Sequence, residues 1–173
     1  MSDQIDADPF WSVVHRRHPD LDIVLLPPDQ TTPADSGQDR DAPEPFAHEH
    51  LSVVDDTWAR LVGHGMPSSV ARWIPGPTSD SVCHSVTLTL GDADEAIALA
   101  HLRSAADVLT SQGWRVFLPP TGMPRVMADR PSTLGDEQLL FGYAAKNRNL
   151  FLRLNSTGLP VGSQTAYELI EAA

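Results

Sequence analysis

The chain has 173 residues, 12 of them basic and 23 acidic, for a formal net charge of −11, and a single cysteine. That length holds one domain, or one domain with a tail, and is ample for a core. The acidic balance disfavours nucleic acid and anionic membrane surfaces, which select basic patches. One cysteine excludes an internal disulfide and a thiolate-rich zinc site, and no apolar run reaches the roughly 18 residues that suggest a membrane span. The opening Met1-Ser2-Asp3 is acidic, unlike a secretory or transit peptide, so a cytoplasmic protein is expected. Lys146 is the one lysine; arginine bias with abundant Ala and Asp suggests a GC-rich bacterial genome.

Asp8-Pro9 starts a short helix, a capping residue followed by proline at the first helical position. Phe10, Trp11, Val13 and Val14 give it an apolar side, and His18-Pro19 ends it, because the residue before proline avoids the α region. Leu21 to Leu26 reads as a strand, closed by Pro27-Pro28. Residues 1–26 therefore form an N-terminal helix–strand unit, expected either to dock on the main domain or to meet a partner. Residues 27–45 are rich in Pro, Asp, Thr and Ser without apolar periodicity, and read as a linker or mobile loop.

The main domain is expected over residues 46–173. Phe46 to His50 leads into a second helix, capped by Asp55 or Asp56, with Trp58, Leu61 and Val62 facing a core and Gly63 and Gly65 ending it. Met66 to Asp80 reads as a loop around a short Val70 to Ile74 segment. Val82, Val86, Leu88 and Leu90 then alternate with Cys83, Ser85, Thr87 and Thr89, the period of a strand with one buried face. His84 is the one polar residue in the apolar row. Asp92 or Asp94 caps a helix running to about Gln112, with Gly113 past its end. Ile97, Ala98, Leu102, Ala105, Val108 and Leu109 form its apolar arc, which also holds His101. Trp114 to Leu118 is a second strand, and Thr121 to Gly135 reads as irregular. Gln138 to Ala145 and Leu150 to Asn155 form a hairpin around Lys146-Asn147-Arg148-Asn149. Ser163 to Ala172 is a C-terminal helix.

The expected fold is α/β of the α+β kind: a two-layer sandwich with a mixed sheet of about four or five strands and helices mainly on one face. It is built on a β-α-β unit, with a right-handed crossover if its strands are parallel, followed by a β-hairpin and the C-terminal helix.

Candidate chemistry is sparse. His48-Glu49-His50 lacks the i, i+4 spacing of a metalloprotease helix, and His15 with His18 reads as a solvated helix end, so no metal is expected. Adjacent strand residues point to opposite faces, so Cys83 and His84 form no dyad. No Gly-x-Ser-x-Gly elbow and no phosphate-binding glycine loop is present, and no cofactor is implied. His84 and His101 are both expected on buried faces; a hydrolase or transferase built on this chain would use one of them as its base. By alternation the sheet face opposite the core carries Arg115, Phe117, Phe151 and Arg153, residue types enriched at protein interfaces.

The function expected from these features is a non-enzymatic, acidic, protein-binding module with a basic protein partner: a secretion chaperone or adaptor, or a toxin-neutralising immunity protein. The alternatives are the histidine-based hydrolase or transferase, and an accessory domain that oligomerises through Leu21 to Leu26.

Overall fold

The computed structural model describes residues 42–63 and 65–172, together with Val13 and Arg17. The expected helix–strand unit before Pro27 and most of the expected linker lie outside the described residues. Within them the protein is α+β: three α-helices and one open antiparallel sheet of seven strands.

Helix α1 spans Pro43–Val62, beginning about three turns before the cap expected at Asp55 or Asp56. Pro43 and Pro45 fall within the expected linker. Proline fits the first turn of a helix, however, where its missing N–H is not needed. Asp55 and Asp56 are consequently exposed mid-helix residues and not caps. The longer helix completes an apolar stripe of His50, Val54, Trp58 and Leu61, spaced to share one face and all buried. Gly63 ends it with φ 80°, its N–H donating to the Ala59 carbonyl at 2.9 Å.

Strands β1 (Ser68–Pro75) and β2 (Ser81–Leu90) form a hairpin in which Ala71 pairs with Val86 and Trp73 with His84. The stretch expected to be a loop is thus an edge strand. Helix α2 (Glu95–Ser111) begins as expected, with Asp94 Oδ1 accepting from the Ile97 N–H at 3.1 Å, and is followed by Gly113 at φ 83°. Ala98, Leu102, Ala105 and Leu109 face inward, whereas Ile97 is 59% exposed and stands outside the arc assigned to it.

Strands β3 (Arg115–Phe117), β4 (Arg125–Arg130), β5 (Glu137–Ala144) and β6 (Asn149–Asn155) complete the main path, and β7 (Leu159–Pro160) pairs with β2. Helix α3 (Ser163–Glu171) packs against β1 and β2. Strand β4 runs through the segment expected to be irregular. Its inward residues, Val126 and Ala128, are few, and prolines flank it, so it is held as a strand by pairing with β3 and β5.

The sheet order is β1-β2-β6-β5-β4-β3, and every pairing is antiparallel. This corrects the expectation of a mixed sheet of four or five strands. The β-α-β unit survives in altered form. β2 and β3 point the same way, because four antiparallel steps separate them, but β6, β5 and β4 lie between. Strands spaced at about 4.8 Å put β2 and β3 about 19 Å apart. A helix of 17 residues is about 25 Å long at 1.5 Å per residue. That reach lets α2 cross three strands, and it contacts β3, β4 and β5.

One face of the sheet packs on α1 and α2. Val86, Leu154, Leu139 and Ala128 lie in register across it, followed by Leu88, Leu152, Phe141 and Val126. These residues share one hydrophobic cluster with Val54, Trp58, Leu102, Ala105 and Leu109. Most are 2% exposed or less, so the apolar burial that drives folding is concentrated between the sheet and these two helices.

Candidate functional site

The period-2 alternation that sends leucines of β5 and β6 into the core sends their neighbours to the opposite face. In register this gives a row of Val70, Thr87, Arg153, Leu140, Met127 and Phe117. Beside it runs Arg72, Ser85, Asn155, Gln138, Asp129 and Arg115. A third row holds Thr89, Phe151, Gly142 and Arg125.

All four residues singled out from the sequence, Arg115, Phe117, Phe151 and Arg153, therefore share one face. Arg115, Phe117 and Arg153 line an open depression of about 600 Å³, together with Met127, Asp129, Asp136 and Asn155. Phe151 occupies the adjacent row with its ring folded over Gly142, where a Cβ would lie 2.8 Å from its Cζ. Bare glycine opposite a large ring is how a sheet accommodates such an aromatic.

This face carries exposed apolar surface: Val70 is 65% exposed, Phe117 59% and Met127 41%. Sequence reasoning missed Val70 and Met127, because both lie on strands whose sequences have the character of loops. Arg115 is held by two carboxylates. Its Nε donates to Asp129 Oδ2 at 2.6 Å, and its Nη2 bonds the same oxygen and reaches Asp136 Oδ2 at 3.1 Å. Arg153 Nε donates to the Thr87 hydroxyl at 3.3 Å, and its guanidinium makes no ion pair among the described residues. Asn155 Oδ1, in the same depression, is buried without a hydrogen-bond partner.

The second constellation is a pair of imidazoles. His84 does not find His101, as the sequence reading allowed; it meets His50 of α1, with Nδ1 to Nδ1 at 3.0 Å. Both are buried, at 4% and 6% exposure. Trp73 packs on His84 at 4.9 Å between ring centroids, and Phe46 stacks on Trp73 at 6.3 Å. Two rings sharing one nitrogen–nitrogen contact need one proton between them, so one donates and the other accepts. His50 Nε2 is buried without a partner, and a stranded N–H costs more than a stranded lone pair. The favoured tautomer therefore has His50 Nδ1–H donating to His84 Nδ1.

Burial, and then the neighbouring His84, lower the His50 pKa from 6.5 to about 4, and burial lowers that of His84 as well. Both rings are neutral at pH 7. Ser156 fixes the His84 backbone on both sides: the His84 N–H donates to its hydroxyl at 2.9 Å, and the Ser156 N–H donates to the His84 carbonyl at 3.0 Å. His84 lines a shallow depression with Trp73 and Leu169.

His101 lines a different depression, with Asp92, Asp94 and Ile97. Cys83 is half-buried, and burial pushes its thiol pKa up, away from a nucleophilic thiolate. No group of three or more metal-ligating side chains comes together among the described residues. None of the described helices is long and apolar enough to cross a membrane.

The fold and the two sites define an α+β protein with an open antiparallel sheet, a neutral histidine pair beneath one helix, and an amphipathic exposed face. Comparison with protein-family models, with curated proteins and with solved structures gives no significant match.

Proposed function

We propose that the chain is a non-enzymatic protein-binding module that engages a protein partner through the open face of its sheet. In this reading the protein is a two-layer sandwich working in the cytoplasm, and the partner supplies the missing third layer. A secretion chaperone or adaptor, or an immunity protein that covers a toxin, works in this way. The observation that carries it is the exposed row of Val70, Met127 and Phe117 flanked by arginines. Aromatic, Met and Arg side chains at the centre of a patch are the composition enriched at protein interfaces. The net charge of −11 also favours long-range attraction of a basic protein. The histidine-based hydrolase or transferase draws support only from the depression beside His84.

The test is isolation of the tagged chain from its native host beside a variant carrying Phe117→Ser and Met127→Ser. The expected result is one stoichiometric protein retained by the native chain, released by salt and lost with the variant. A partner held equally by both overturns the assignment to the open face. A chain that elutes alone at every salt concentration overturns the binding reading itself.

A further inference from the structure

The open face does not share the charge of the chain. By register it carries Arg72, Arg115, Arg125 and Arg153, four of the 12 basic residues, against Asp129, with Asp136 at the rim. Arg115 is neutralised by these two carboxylates, and the other three arginines make no ion pair among the described residues. The acidic side chains of α1 and α2, among them Glu44, Asp55, Asp56 and Glu95, belong to the helices on the other side of the sheet.

Distance decides which charge a docked segment experiences. At physiological salt the Debye length is about 8 Å, so charges beyond the sheet are largely screened. The arginines on the face itself are in direct contact range. Planar guanidinium groups beside exposed apolar side chains suit carboxylates carried on an apolar segment.

We infer that the open face binds a partner segment combining apolar anchors with carboxylates, its Phe or Leu side chains seated on the Phe117–Met127 pair and its acidic groups on Arg153 and Arg72. This rests on the docking reading and specifies its ligand. A single-stranded nucleic acid also offers rings and negative charge. Asp129 and Asp136 stand in the depression and repel a phosphate chain, whereas a peptide can place its carboxylates clear of them. The chain-wide charge of −11 acts against a long polyanion and little against a short peptide.

The experiment titrates the full chain against fluorescein-labelled decapeptides and reads anisotropy. Three peptides share one spacing of Phe and Leu and carry Glu, Lys or Ser between them; a labelled oligothymidine is the fourth probe. The glutamate peptide is expected to bind about thirtyfold tighter than the serine peptide, the advantage of two exposed ion pairs at the upper end of their range. A double variant with Arg72→Ser and Arg153→Ser removes that advantage, and the variant with Phe117→Ser and Met127→Ser removes binding of all three peptides. If Lys and Glu peptides bind equally but depend on Phe117 and Met127, the acidic specificity is wrong and the docking face stands. If binding ignores Phe117 and Met127, or no peptide binds, the docking face itself falls. Tighter binding of the oligothymidine overturns the peptide assignment.

Discussion

Replacing His50 with leucine should flatten the dependence of stability on pH. The unfolded imidazole has a pKa of 6.5 and the folded one about 4, so His50 belongs to the depressed class. Between those values the unfolded chain holds a proton that the folded chain refuses. Stability is therefore complete above about pH 6.5 and is lost as pH falls towards 4. The whole shift is worth about 3 kcal/mol, of which about 2 kcal/mol is gone by pH 5. His84, shifted the same way, adds to the loss. Ordinary carboxylates, with pKa values near 4, remain mostly ionised over this window. His50→Leu keeps an apolar side chain at this buried position but removes the bond to His84, costing about 1 kcal/mol at pH 7. Urea unfolding followed by far-ultraviolet circular dichroism reads the outcome. For a protein of this size the native midpoint should fall by about 1 M between pH 7 and pH 5. The variant, less stable at pH 7, should lose at most half as much. Equal pH slopes for the two proteins would refute a buried neutral His50.

Three further outcomes follow from the packing. Gly76→Ala should destabilise by about 2 kcal/mol or more, because a Cβ there would lie 2.3 Å from Ser81 Oγ and 2.7 Å from the Ser81 carbonyl carbon in the β1–β2 turn. Chemical denaturation checks it, and a loss under 0.5 kcal/mol, the order of an ordinary surface substitution, would mean the turn is not under this constraint. Trp58→Phe should cost less than about 1.5 kcal/mol, since it removes an indole N–H that is buried without a partner while keeping a ring in the core. Trp58→Ala should cost about 3 to 5 kcal/mol, and thermal unfolding of both would show whether the ring or the N–H matters. Arg115→Ala should change stability by less than about 1 kcal/mol, because its ion pairs with Asp129 and Asp136 are solvent-exposed. A larger loss would make this cluster structural and weaken its place in a docking face.

Much of the architecture could be read from residue types, because local periodicity encodes which side of an element is buried. The alternation of β2, β3 and β6 set their inward and outward rows, and through them the outward direction of Arg115, Phe117, Phe151 and Arg153. Asp94 and Gly113 bounded α2 within a residue or two. What escaped were elements whose local signal is weak or ambiguous. β1 is a mostly exposed edge and needs no apolar alternation, β4 has two small inward residues between prolines, and the prolines of α1 fit a linker as well as a first helical turn. With the first turns of α1 not evident, His50 stands outside the expected buried stripe, and His101 is left as the expected companion of His84. By itself the sequence determined element faces, because side-chain direction depends only on near neighbours along the chain. Strand order, the antiparallel pairing of every strand, the His50–His84 contact and the placing of Arg72 and Arg125 on the face of Arg115 and Arg153 required the tertiary structure. Each depends on which distant segments pair, and that is settled by packing over the whole sheet and not by any single stretch.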